Sequence, residues 1–460
     1  MPDSYFASYF AEHALLAEGW RADVRLVVDA EGFIDSVIPD SPPGDATRLN
    51  GPVLPGMPNL HSHAFQRAMA GLAEIGSARP DSFWSWRERM YALVDRLTPE
   101  QVGVIARALY VEMLKGGYTQ VSEFHYLHHD PRGRPYTDPA AMSRALLEAA
   151  DASGIGMTLL PVFYAHGDFG GQPASPSQRR FLHSPDSYLR LLENLAPLCS
   201  GHATRALGMA LHSLRAVTHD EISDILAADP AGPRHIHVAE QCKEVEACLA
   251  WCGKRPVRWL LDNVDVDERW CLIHATHLDA GEIRDLAASG AVAGLCPTTE
   301  ANLGDGIFAA TEYAAGGGRW GIGSDSHVSL DLVEELRLLE YGQRLTSQRR
   351  NVLQDAGQRR VGDWLYRQAL AGGAQASGQP IGALGPGKRA DWIVLDGDDP
   401  YLASAGDDTR LGRWLFGGSK GQIRDVMVAG RWQVRDGRHE LDDNNRSALT
   451  DLLRALRKAE

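Results

Sequence analysis

Residues 51–66 read GPVLPGMPNLHSHAFQ, an almost continuous apolar run that ends in His61-Ser62-His63. Polar residues appear only where the run stops. The same design recurs along the chain: TQVSEFHY (119–126), GMTLLPVFY (156–164), ALGMALHSL (206–214), RHIHVAE (234–240), WCLIHATHL (270–278), AVAGLCP (291–297) and WGIGSDSH (320–327). Amphipathic segments such as DPAAMSRALLEAADASG (138–154) and DAGEIRDLAASG (279–290) lie between them. Short strands that are apolar throughout, alternating with helices, imply a parallel sheet covered on both faces. About eight such strands suit an α/β fold of the (β/α)8, TIM-like barrel type. The alternative, an open doubly wound sheet, lacks a Gly-x-Gly-x-x-Gly turn after the first strand.

The two ends of the chain read differently. ADVRLVVDAEGFIDSVIP (22–39), GALGPGKRADWIVLDGDDP (382–400) and GQIRDVMVAGRWQVRDGR (421–438) are short strands split by Gly and Asp. We expect residues 1–52 and 378–445 to meet in one small composite β-sandwich domain, with 53–377 forming the barrel. Leu449, Leu452, Leu453 and Leu456 share one face of a C-terminal helix over 446–460, expected to pack on its own domain.

Composition narrows the function classes. Asp and Glu outnumber Lys and Arg by 60 to 46, a formal net charge of -14, so no global attraction draws the chain to nucleic acid or an anionic membrane. No stretch approaches a membrane span, and the first residues lack the basic-then-apolar order of a signal peptide, which favours the cytoplasm. The 6 cysteines show no Cys-x-x-Cys spacing, which argues against a zinc–cysteine site.

Catalytic groups of a barrel sit at the C-terminal ends of its strands. His61 and His63 end the first run, His212 and Arg215 follow the fourth, His237 and Glu240 close the fifth, His274 and His277 the sixth, and Asp325 follows the eighth. Alternate strand residues point the same way, so His61 and His63 can face one point on the barrel axis. His237 and Asp325 could complete three imidazoles and a carboxylate, a donor set suited to a catalytic zinc. Each group taken singly reads more simply as a hydrogen-bonded core or loop residue; their recurrence at successive strand ends is the signal. Glu240 could lie beside such a metal and move protons, or could be a glutamate favoured by a helix dipole.

The motifs HSH, HVAE, IHATHL and GSDSH, with GPGKRADWIVLD (385–396) returning to the small domain, resemble the amidohydrolase superfamily over nearly the whole chain. The resemblance implies the same barrel, metal ligation by His61, His63, His237 and Asp325, a proton shuttle at Glu240 and an orienting or polarising role for His274. Two-metal members usually carry a carboxylated lysine after strand four. GMALHSL has none, so one zinc per subunit is expected, with release of ammonia from a C–N bond.

FWSWRERMY (83–91), HYLHHD (125–130), LHSLRAV (211–217) and Gln66 further resemble the formimidoylglutamate deiminases of histidine degradation. That implies a small substrate bearing carboxylates. Arg215 could grip one in bidentate fashion, and Arg87, or Arg89 beside it, a second, with Gln66, Tyr126 and His212 as further contacts. His128, His129 and His166 read as loop polar residues. The competing readings are a guanine- or adenosine-type deaminase or chlorohydrolase, an imidazolonepropionase-like ring hydrolase, and an inactive barrel serving as a binding protein. A homodimer follows from family habit alone.

Overall fold

The structure is a computed structural model that describes residues 7–76 and 83–458. Eight parallel strands form the barrel: β1 (Met57–Ser62), β2 (Tyr118–His125), β3 (Gly156–Phe163), β4 (Met209–Leu211), β5 (Arg234–Val238), β6 (Trp270–His274), β7 (Val292–Leu295) and β8 (Arg319–Ile322). They pair in that order, and a parallel bridge between Ser62 and Asp325 joins the last strand to the first. Apart from the exposed Arg319, every barrel-strand residue is buried, as strands packed between a barrel interior and surrounding helices require. The open-sheet alternative is thereby excluded.

Local signals set the helix boundaries. Thr98, Thr218 and Asp279 cap their helices in reciprocal boxes with Gln101, Glu221 and Glu282, satisfying N–H groups that the first turn leaves free. The helix Val361–Ser377 crosses the barrel beside β1 and β8. A Cβ at Gly372 would lie 1.9 Å from the Trp320 carbonyl oxygen, so only glycine permits that approach.

Both chain ends build one eight-stranded sheet, the small composite β unit. Ala7–Leu16 pairs antiparallel with Gly19–Val28, and Trp392–Leu395 pairs antiparallel with Ile423–Val428. The strand Val53–Pro55 joins the two halves, pairing with Ala7–Leu16 on one side and Trp392–Leu395 on the other. Val53–Pro55 thus hydrogen-bonds within the small sheet before β1 begins at Met57.

The terminal helix spans Asp442–Lys458, starting earlier than the leucine stripe indicates. It docks on the barrel helix Pro99–Lys115: Lys115 pairs with Asp442 at 2.9 Å and Arg107 Nε donates to Asn445 Oδ1 at 2.9 Å. Leu449, Leu452 and Leu456 pack against the barrel core. Among the described residues, no helix is long and apolar enough to cross a membrane.

Candidate functional site

The seam of the barrel creates the site. Asp325 N–H donates to the His61 carbonyl at 3.0 Å and His63 N–H to the Asp325 carbonyl at 3.2 Å, which fixes residues far apart in sequence side by side. Asp325 itself holds a left-handed backbone, φ 45°, an uncommon choice for a non-glycine residue. Two residues earlier, a Cβ on Gly323 would sit 2.8 Å from the His61 nitrogen, so only glycine lets the seam close this tightly.

Alternation along β1 separates the three residues of HSH. Ser62 points away from the histidines, donating to Glu123 Oε2 at 2.5 Å and meeting His327 Nε2 at 3.2 Å. Glu123 also accepts the Ala64 N–H at 2.7 Å and the Tyr110 hydroxyl at 3.2 Å; burial nevertheless pushes its carboxyl up to about 7. This buried polar belt pins β1 from behind.

On the interior side the ring nitrogens converge. His61 Nε2 lies 3.1 Å from His63 Nε2 and 3.0 Å from His237 Nε2, and Asp325 Oδ1 is 3.5 Å and 3.3 Å from the first two. His63 Nδ1 donates to the Phe124 carbonyl at 2.8 Å and His237 Nδ1 to the His212 carbonyl at 3.0 Å. Those bonds fix the tautomer that leaves each Nε2 lone pair facing the others. Burial lowers His61, His63 and His237, keeping the rings neutral and ready to ligate. Four donors around a tetrahedral zinc with bonds near 2.05 Å are separated by about 3.3 Å. His61 Nε2 thus lies 3.0–3.5 Å from each of the other three donors, a crowding of lone pairs that is unfavourable unless something shared lies between them, so this set fits a metal ion.

Beside the set, Glu240 follows Ala239, whose φ is 52°, at the end of β5. Its Oε1 is 3.8 Å from His274 Nε2, and His274 Nε2 is 3.8 Å from Asp325 Oδ2. Burial raises Glu240 to about 7; His274 and Arg215 oppose that shift, and Asp325 and Glu244 reinforce it. For His274 burial acts downward, but Glu240, Glu300 and Asp325 outweigh it and carry the ring up to about 10.

A narrow pocket opens onto these groups. Gln66, Arg87, Tyr126, His212 and Arg215 all line it, under a rim that includes Trp86, Tyr91 and Phe181. The helix Phe83–Val94 thus covers the mouth, turning Arg87 inward, whereas Arg89 donates outward to the Leu72 carbonyl at 2.9 Å. Gln66 Nε2 donates to the Tyr126 hydroxyl at 2.9 Å, while its buried Oε1 has no hydrogen-bond partner among the described residues. Arg215 is buried; burial acts to lower it, but Glu244, Tyr164 and Glu240 hold it above its ordinary value.

His277 does not line this pocket; its Nε2 donates to the Asp305 carbonyl at 2.9 Å. His128 and His129 donate to carbonyls, and His166 pairs with Glu221 at 2.9 Å. Sequence reasoning missed Glu123, His327, Glu300 and Asp305. The first two lie within the quoted strand-end stretches, and the last two follow β7 in CPTTEANLGDG (296–306), where only the position after a strand end marked them.

Comparison with known proteins adds the lineage. A model of the "Amidohydrolase family" matches residues 53–433, and a model of "Formimidoylglutamate deiminase HutF, N-terminal domain" matches residues 8–51. A formimidoylglutamate deiminase from Pseudomonas aeruginosa is 60% identical over 97% of this chain and 99% of its own length. The crystal structure of an amidohydrolase from Brucella melitensis superposes with a TM-score of 0.94 at 49% identity, covering 98% of this chain and 99% of that one. An adenosine deaminase from Xanthomonas campestris, crystallised with bound zinc, shares the fold at a TM-score of 0.80 and 21% identity, covering 98% of each chain.

Proposed function

The chain belongs to the amidohydrolase family, and from that premise we propose that it hydrolyses the formimino group of N-formimino-L-glutamate, giving N-formyl-L-glutamate and ammonia. It is a hydrolase of a non-peptide C–N bond, and the reaction places it in histidine catabolism. The observation that carries the substrate assignment is the pocket lining: Arg87 and Arg215 share one narrow cavity with His63, His237, Glu240 and Asp325. A neutral heterocycle would offer these two guanidinium groups no carboxylate to grip in bidentate fashion.

We assign metal ligation to His61, His63, His237 and Asp325, with zinc, one per chain, as the ion. When bound, such an ion supplies Lewis-acid activation of water near neutral pH. The chain's own residues do the rest. Arg215 and Arg87 receive the two carboxylates of the glutamate part, and His212 and Tyr126 flank them. The buried, unpartnered Oε1 of Gln66 accepts a substrate N–H. Asp325 takes a proton from the attacking water as the new C–O bond forms at the formimino carbon. Glu240, raised to about 7 and so partly protonated at neutral pH, delivers one proton to the departing nitrogen; the proton held by Asp325 supplies the second, the new hydroxyl gives its own to Glu240, and the C–N bond breaks to release ammonia. His274 Nε2–H steadies the charge that builds on the tetrahedral carbon's substituents.

We further propose a cytoplasmic enzyme whose partner is this small metabolite rather than nucleic acid or a membrane, in keeping with the net charge of -14. A homodimer, expected from family habit, is checked by the solution mass of the purified protein. The test is an ammonia-release assay of metal-loaded protein on N-formimino-L-glutamate, guanine and adenosine in parallel. Release from the first alone is expected; release from a heterocycle alone would overturn the reading.

A further inference from the structure

Glu300 lies in the short helix Pro297–Leu303 that follows β7, and its carboxylate turns back into the barrel, buried. Oε1 accepts the Cys296 N–H at 2.9 Å and lies 3.3 Å from His274 Nδ1. A carboxylate only accepts, so Nδ1 carries the proton in this bond. The backbone at His274 is strained: φ is 68° there and 47° at Ala275. Left-handed geometry costs about 1–2 kcal/mol per residue and persists only where surrounding contacts hold it. It swings the imidazole off the strand's regular path, against the His237 ring, with centroids 5.7 Å apart and planes at 15°. A ring so displaced is free to turn about its Cβ–Cγ bond unless one nitrogen is tethered.

We propose that Glu300 is a positioning residue for the hydrolysis, tethering His274 by Nδ1 so that Nε2 faces Glu240 and Asp325. This rests on the deiminase reading above. It follows the logic by which an orienting carboxylate sets the tautomer and angle of a catalytic imidazole.

The rival account is that Glu300 is only a helix cap, holding the N–H of Cys296, the residue preceding the helix. The two differ in what a substitution moves. Glu300→Gln keeps an acceptor oxygen for both donors and removes the charge; Glu300→Ala removes both. Tethering predicts that kcat falls about tenfold in the first and about 10²-fold or more in the second, with KM and metal content unchanged, because substrate and metal contacts are untouched. In parallel, proton NMR of wild type is expected to show a downfield imidazole N–H resonance that disappears in both Glu300→Ala and His274→Gln. Glu300→Ala that melts lower but turns over like wild type overturns the proposal. If that variant does not fold, a wild-type kcat in Glu300→Gln together with no Glu300-dependent imidazole resonance overturns it. A wild type that releases no ammonia from N-formimino-L-glutamate counts against the substrate reading alone, since the resonance still reports the tether.

Discussion

Two clusters of buried and half-buried histidines lie on either side of β2, and only one of them makes a site. His63 and His237 each bring Nε2 within 3.0–3.1 Å of His61 Nε2, after their own Nδ1 atoms have been committed to carbonyls. His125, His128, His129 and His183 pack as closely, with ring centroids 4.5–5.2 Å apart between 128 and 183, 129 and 183, and 125 and 128. Their nitrogens diverge instead. His128 Nε2 donates to the Val162 carbonyl at 3.0 Å, His129 Nε2 to the Leu182 carbonyl at 2.7 Å, and His183 Nδ1 meets Ser187 Oγ at 3.0 Å. Ring proximity is therefore not what makes a ligand set. An imidazole has two nitrogens, and in the first cluster His63 and His237 each spend one on orientation and leave the other aimed at His61.

If that distinction holds, changes around the convergent set should cost turnover, and changes in the divergent set should cost stability. The largest effect is expected for Glu240→Gln: kcat falling about 10³–10⁴-fold, with metal content retained, measured by steady-state ammonia release. Arg215→Gln should follow, lowering kcat/KM about 10²–10³-fold, mainly through KM, because it leaves a substrate carboxylate in the pocket without its bidentate partner.

The divergent set is expected to answer to acid. Burial, with His63 and His183 adding to it, holds His125 down to about 3, and burial with His129 holds His183 to about 3. Above about pH 6.5 neither the folded nor the unfolded chain binds protons at these rings, and they cost nothing. Below it the unfolded chain takes up protons that the folded one refuses, so stability falls as pH drops from 6.5 toward 3. For the fully buried His125 the loss is about 2 kcal/mol by pH 5. Urea unfolding at pH 7 and pH 5 should show it, and His125→Asn should flatten the dependence while kcat at pH 7 stays near wild type. Gln66→Leu is the smallest expected change, raising KM about tenfold through one lost hydrogen bond at an otherwise intact site. An equal loss in kcat would instead place Gln66 at the reacting carbon.

Much of this is legible in the sequence. Apolar runs ending in polar residues announce a parallel barrel because both faces of such strands are covered, and the same rule locates His61, His63, His237, His274 and Asp325 at strand ends. What stayed hidden depends on direction rather than type. A glutamate in the first turn of a helix, as Glu300 is, has a sufficient explanation in the helix dipole, and nothing in CPTTEANLG says that its carboxylate folds inward. Glu123 and Ser62 face each other only because β1 and β2 pair in one register. The leucine stripe of Asp442–Lys458 indicates an amphipathic helix but not which surface receives it, and the barrel helix Pro99–Lys115 does so through Lys115 and Arg107. The switch at Gly56 was concealed because Val53–Pro55 and β1 are equally apolar.

The most direct test of the central claim sets one histidine from each cluster against the other. Metal content by mass spectrometry and ammonia release from N-formimino-L-glutamate are measured on purified wild type, His237→Ala and His128→Ala. The account predicts about one ion per chain and full turnover for wild type, both retained in the folded fraction of His128→Ala, and both lost from folded His237→Ala. Metal and turnover surviving in His237→Ala, or vanishing from folded His128→Ala, would contradict it.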